Sequence, residues 1–251
     1  MTFPAKEEIE QVMSDFEDDH YINIFGDGSV KTPTKWWAAL AGHGVWVPDW
    51  NKPDENKEER REAAMIGPGL GQTSSSTRQE LAAWLRALTI PVKQCYATDS
   101  ASMMTKAIQL MEAAARYEDQ LNTGTLSKWP ENPFRKPWGL QTDGDLWEQA
   151  WIAVVKRGKG NQQVRKVKGH ATKEQVEEGV VKKEDKEGND ASDKLADQGV
   201  HSIHGVGLVK LASWIAQRHQ RYGTFMKRIR KFIAGMTLIE KAEREKDKKG
   251  Q

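Results

Sequence analysis

Four carboxylates and one imidazole stand in contexts where side chains can do chemistry. Asp27 lies in FGDGS, after the apolar residues of a strand pattern and before Gly28 and Ser29, so its side chain projects where the strand ends and the backbone stays open. Asp99 occupies the same kind of position at the end of VKQCYATDS. Glu80 falls in the first turn of a helix expected over Leu81 to Leu88, where a negative charge suits the helix N-terminus. Asp193 lies near the start of a last helix, NDASDKLADQG, and a charged loop from Ala171 to Gly188 separates it from His170 in VKGHA. Taken singly, each has an ordinary explanation: a strand-end Asp is more often a turn residue, and a Glu in a first helical turn is usually a dipole contact. The set carries more information. Carboxylates from two strand ends and two helices can converge on one point, where their repulsion is costly unless cations sit among them. Hard oxygen ligands of this kind suit Mg²⁺ or Mn²⁺.

The elements that must hold these groups can be read from periodicity. YINIF begins a strand, turn chemistry from Lys31 to Thr34 follows, AALAGHGVWVP gives a second strand, and EAAMIGPGL a third interrupted by Gly67 and Pro68. After the polar cap SSST, Leu81, Trp84, Leu85 and Leu88 recur at helical spacing, and PVKQCYATDS is a strand running into a turn. Helix follows to about Tyr117; Asn122 to Gly144, rich in Pro, Gly and Trp, reads as an ordered loop; DLWEQAWIAVVKRG is helical, and QQVRKVKG is a last strand. The order β-β-β-α-β-α-α-β-α predicts an α/β mixed sheet with helices against it.

With 251 residues, 37% hydrophobic and 29% charged, the chain can bury a core as one domain with appendages. A net charge of +2 does not by itself declare a polyanion partner, so the distribution of charge matters more than its sum. The single cysteine, Cys95, excludes an internal disulfide and reads as a buried strand residue of a protein from a reducing compartment. No membrane partner is expected, because no apolar run approaches a membrane span, and the acidic N-terminal stretch has no signal-peptide core; the expected location is intracellular, cytoplasm or nucleus. The expected organisation is a polar leader (1–19), a catalytic domain (20–200) and a basic amphipathic helical extension (201–251).

The ordered fragments FGDGS (25–29), STRQEL (76–81), ATDS (97–100), DLW (145–147), VKGHA (167–171) and NDASDKLA (189–196) resemble the type 1 ribonuclease H domain, including those fused to reverse transcriptases. The resemblance covers about residues 20 to 200. It implies a ribonuclease H-like fold, a five-stranded mixed sheet of order 3-2-1-4-5 with helices on both faces. It also implies that Asp27, Glu80, Asp99 and Asp193 bind two Mg²⁺ ions, for which Mn²⁺ is a plausible substitute, and that His170 is the histidine of a mobile loop. Two such ions can activate an attacking water and stabilise the leaving 3′ oxygen of an in-line displacement. The activity so implied is hydrolysis of the RNA strand of an RNA/DNA hybrid to 5′-phosphate and 3′-hydroxyl ends, with His170 shuttling a proton and aiding product release.

Telling RNA from DNA requires groups that sense 2′-hydroxyls. The matching substrate-binding positions are Gly28, Ser29, Ser76, Thr77, Ser100 and Asn189. Ser76 stands where the family commonly has Asn, and Ala101 replaces a polar residue; these departures bear on hybrid discrimination and leave the metal site intact. The long loop with its GND ending is similar to ribonuclease H domains of retrotransposon polyproteins, whose other domains are then partners. Two alternatives keep the fold: a non-catalytic nucleic-acid-binding module, and another metal nuclease such as an integrase or junction resolvase. The sequence is silent on oligomeric state.

Other features have two readings each. Arg135, Lys136, Trp138 and Trp129 form either a basic, aromatic handle for the DNA strand or tryptophans packing a Pro-rich loop onto the helices. His201 and His204 lack the Cys or acidic partners of a zinc site. Asp190 and Asp143 are spare acids, read as a helix-start residue and a loop cap. In the extension, apolar residues from Leu208 to Met236 recur every three or four positions, giving one long helix or two broken near Gly223. Its basic residues read either as the solvated face of a helix packed on the domain or as contacts to the phosphates of a long substrate.

Overall fold

The computed structural model describes residues 1–9, 22–32, 35–48, 62–69 and 75–249. The strands are β1 (Ile24–Lys31), β2 (Leu40–Val47), β3 (Ala63–Pro68), β4 (Gln94–Thr98) and β5 (Gln162–Lys166), in the order β3-β2-β1-β4-β5. The first three form an antiparallel meander, and β4 and β5 join parallel to β1. The helices are α1 (Ser76–Ala87), α2 (Ala101–Asn122), α3 (Gly144–Arg157), α4 (Lys173–Glu177), α5 (Lys183–His204) and α6 (Val206–Lys249). This is the ribonuclease H-like arrangement that the resemblance implies, with the expected element order. The segments expected at 33–34 and 70–71 lie outside the described residues, as do residues 10–19 of the leader and residues 20–21 before β1.

The main core fills the space between the sheet and α1, α2 and α3. Ile24, Val45, Leu81, Trp84, Tyr96, Leu110, Trp151 and Val154 meet there, and Phe3 of the N-terminal segment joins them. On the opposite face, α5 lies unusually close to the sheet, because both surfaces are built of small residues. Its buried side is Gly188, Asn189, Ser192, Ala196 and Gly199, and it rests on Gly42 and Gly44 of β2. A Cβ on Gly44 would lie 2.4 Å from the Ala196 nitrogen, so a larger residue there would push α5 off the sheet.

The structure corrects several boundaries. The stretch from Ala171 to Gly188 is not one loop: it contains α4, closed by a Thr172 capping box, and the first turns of α5. Hydrophobic periodicity missed this because the buried face of α5 carries almost no large apolar side chains. Ion pairs between Lys183 and Glu187 and between Lys186 and Asp190 support the segment locally. The first long helix begins at Ser76, where the Ser75 hydroxyl accepts the Arg78 amide at 3.1 Å, so Glu80 sits past the first turn. Helix α2 runs on to Asn122, and β3 continues through Gly67 to Pro68, which an edge strand tolerates. Helix α6 runs unbroken through Gly223, and only Val209, Ala212 and Ala216 are buried in it. It packs on α5 and the turn at Trp36–Ala38, so the reading of a helix packed on the domain holds for its first part only, and beyond Ala216 no residue is buried. No helix among the described residues is long and apolar enough to cross a membrane.

Candidate metal centre

Strand β1 brings Asp27 beside the end of β4, where Ile24 and Phe25 pair in parallel with Tyr96 and Ala97 and Asp99 follows the last strand residue. Helix α1 crosses β1 at Gly28. A Cβ on Gly28 would lie 2.5 Å from the Glu80 nitrogen, and this close crossing delivers Glu80 to the same point. The N-terminus of α1 is fixed by Arg78, whose guanidinium bonds Asp143 at 3.0 Å and Asp145 at 2.9 Å at the start of α3. Asp143, read as a loop cap, makes no capping bond and instead serves as this anchor. The sequence reading passed over Arg78, although it stands two residues before Glu80 in STRQEL.

Carboxylate oxygens of Asp27, Glu80 and Asp99 all lie within 4.8 Å of one another. Asp27 and Glu80 are 7% and 4% exposed, a degree of burial that ionised, unpaired carboxylates do not tolerate. Burial pushes the Asp27 carboxyl up to about 6, and the charges of Asp99 and Asp193 push it the same way. Burial, with Asp27 next to it, holds Glu80 well above the usual carboxylate range. Asp27 and Glu80 are hydrogen-bonded to each other, and among the described residues the Gly28 amide donates to Asp27 at 2.6 Å and the Thr98 hydroxyl to Glu80 at 3.3 Å, few donors for such a cluster. The donor set is hard oxygen, concentrated and short of positive charge, and it fits Mg²⁺ or Mn²⁺.

The two acids of NDASD part company. Asp193 projects its field onto Asp27, whereas Asp190 pairs with Lys186 one turn earlier on α5; far from being a helix-start residue, Asp190 sits two turns into the helix. Asn189 is buried at 3% exposure beside them. Past β5 the chain crosses directly over Asp99: a Cβ on Gly169 would stand 2.1 Å from Asp99 Oδ2. The next residue, His170, is exposed and has the left-handed φ of 50°. Gly169 was read only as a flank of the histidine, and no local pattern could reveal its contact with a residue seventy positions earlier.

The other positions vary. Ser29 donates its hydroxyl to Asp197, which also binds Lys31 at 2.6 Å, so that hydroxyl is committed to docking α5 on β1. Ser100 caps α2 through the Met103 amide, Ser76 is exposed at the start of α1 and Thr77 is partly buried. Trp138 and Trp151 donate their indole N–H groups to the carbonyls of Glu131 and Pro130, and Trp129 packs edge-on against Trp151, while Arg135 and Lys136 are exposed. Here the tryptophans hold the loop on the helices. His201 and His204 bond the carbonyls of Asp197 and Ala41.

No family model and no curated protein matches the chain. Among solved structures it is similar to the solution structure of the PFV RNase H domain, at 21% identity over 71% of this chain and 93% of that one, with a TM-score of 0.45. It is also similar to the Prototype Foamy Virus protease-reverse transcriptase, at 21% identity over 75% of this chain and 22% of that one, TM-score 0.44. A third is LC9-RNase H1, a type 1 RNase H with the type 2 active-site motif, at 16% identity over 71% of each chain, TM-score 0.43. By its own strand order and connections, the chain has the ribonuclease H-like fold.

Proposed function

We propose that this chain is a divalent-metal-dependent nuclease that hydrolyses the RNA strand of RNA/DNA hybrids. The observation that carries the reading is the convergence of Asp27 from the middle of β1, Glu80 from α1 and Asp99 just past β4, with the charge of Asp193 on α5 acting on Asp27. Asp27, at the centre of the group, would contact every ion held there, with Glu80 and Asp99 completing one side and Asp193 the other. When bound, Mg²⁺ supplies an activated water and neutralises charge that builds on the phosphate in the transition state. The protein's part is to keep four carboxylates fixed on strands and helices, so that little reorganisation accompanies reaction. His170, exposed on the segment that crosses Asp99, stands where an imidazole can take up or release a proton at the edge of the site. Gly28, Ser76, Thr77, Ser100 and Asn189 are the candidate contacts to the hybrid. Ser29 is the exception, since its hydroxyl is engaged by Asp197. Association with other domains of a reverse-transcriptase polyprotein belongs to the same proposal and rests on the sequence resemblance of the stretch from Ala171 to Gly188 with its GND ending.

The test incubates the full chain with labelled RNA/DNA hybrid, duplex DNA and duplex RNA in Mg²⁺ and in EDTA. The expected result is cleavage of the RNA strand in the hybrid alone, dependent on Mg²⁺. Cleavage of duplex DNA would replace the reading with that of another metal nuclease. Binding without cleavage would replace it with a non-catalytic module.

A further inference from the structure

Beyond Ala216 no residue of α6 is buried, yet its sequence is not that of a solvated helix. Tyr222, Ile229 and Met236 recur every seventh residue, and Phe225, Phe232 and Ile239 repeat the interval three residues further on. Leu208 and Ile215 carry the first series back to the domain. Alternating spacings of three and four make one stripe along a helix, and Phe232 and Tyr222 in it are 67% and 60% exposed. A strict seven-residue interval drifts around a straight helix, so it suits a partner helix that supercoils with it better than a flat lipid surface.

The flanks of the stripe select the partner. Arg221 and Arg228 each stand immediately before a residue of the first series, and no acidic residue occurs between Asp197 and Glu240. A parallel second copy of α6 would set these arginines against Met226 and Ile233, with no acidic partner, an antiparallel one would set them against each other, and either would carry Arg218, which occupies the seam one heptad before Phe225, into the interface. A nucleic-acid backbone would neutralise the cations but has no apolar counterpart for the rings. An amphipathic helix with apolar seam residues and Glu or Asp on its flanks satisfies both features. We propose that residues 217–239 of α6 are one strand of a coiled coil whose other strand is a helix of a different protein segment with acidic flanks. The proposal stands independently of the nuclease reading, because it uses no residue of the metal centre.

The probe is a synthetic helix of about five heptads with Leu at the seam and Glu on the flanks, and its twin with Lys on the flanks. Binding to the full chain is measured by fluorescence anisotropy, with circular dichroism of every variant. The Glu peptide should bind at least about tenfold more tightly than the Lys peptide. Phe225→Gln with Phe232→Gln should abolish that binding, and Arg221→Glu with Arg228→Glu should reverse the preference while hybrid cleavage is unchanged. Equal affinity for both peptides would overturn the proposal, whether or not the seam variants stay helical. So would a dimer of the chain in sedimentation that the seam variants dissolve. Loss of binding to a long hybrid, or to phosphatidylserine vesicles, in the seam variants would assign the stripe to those partners instead.

Discussion

Replacing Asp27 by Asn should make the metal-free protein more stable at neutral pH while abolishing cleavage. The Asp27 carboxyl is raised from 3.8 to about 6, chiefly by burial, which disfavours its ionised folded form by about 3 kcal/mol. The sign follows from proton binding. Between pH 4 and 6 the folded state holds a proton that the unfolded state releases, so stability from this group is full below its unfolded pKa and is lost as pH rises through the folded value. His43, buried and lowered to about 4 by desolvation, has the opposite slope: its contribution is present above pH 6.5 and lost as pH falls toward 4. Because both proteins contain His43, its effect cancels when the variant is compared with the wild type. In EDTA the two should therefore unfold alike near pH 4, and the Asp27→Asn variant should be favoured by up to about 3 kcal/mol at pH 7.5. For a chain of this size that is roughly 6 to 12 °C in Tm. Added Mg²⁺ should raise the Tm of the wild type far more than that of the variant, closing the gap. Thermal denaturation at the two pH values, with and without Mg²⁺, checks all of this. A variant less stable than wild type at pH 7.5 in EDTA, or a gap independent of pH, would refute a strained, cation-seeking cluster.

The other predictions test separate parts of the structure. Asp193→Asn should lower turnover at least about a hundredfold and Asp190→Asn less than about tenfold, with His170→Ala between them; single-turnover cleavage measures this, and the reverse ranking of the acids would sink the assignment. Gly169→Ala should cost at least about a hundredfold in cleavage with an unchanged circular dichroism spectrum, because the added methyl occupies the place of Asp99 Oδ2; near-normal activity would show that the crossing is loose. Arg157 is fully buried without a carboxylate partner among the described residues, and its guanidinium bonds the carbonyls of Leu88 and Ile90 at 3.2 and 2.8 Å and that of Val92. Arg157→Leu strands those carbonyls and should destabilise the fold by about 4 kcal/mol in urea denaturation; a loss under about 1 kcal/mol would mean that the carbonyls find other donors.

The fold was legible where apolar side chains alternate or recur strongly. The meander of β1 to β3, the Leu81–Leu88 helix and the Trp-rich α3 all pack large residues into one core, and their patterns survive in sequence. Helix α5 was half hidden, because its packing depends on the absence of side chains: Ala196 and Gly199 against Gly42 and Gly44, and Gly188 against the Phe25 ring. A small-on-small interface has almost no hydrophobic signature, and the polar face above it read as a loop. Helix α6 carried the reverse ambiguity, since its apolar period is strong but nothing in the period says whether the domain or another chain covers it.

Asp99, Glu80 and Asp193 were legible as candidates because they follow a strand or lie on helices that the pattern located, whereas Asp27, expected where its strand ends, sits in the middle of β1, which continues past the glycines of FGDGS to Lys31. What the pattern could not supply is how near they come. That distance is set by three glycine-dependent approaches: α1 onto β1 at Gly28, α5 onto β2 at Gly42 and Gly44, and the segment after β5 onto Asp99 at Gly169. A side chain at the first would push Glu80 away from Asp27, one at the second would lift Asp193, and one at the third would turn Asp99 aside. The site is therefore assembled by backbone proximity on three sides. Burial first, and then the neighbouring carboxylates, raise Asp27 and Glu80; that is the cost of the proximity, and bound cations are what would offset it.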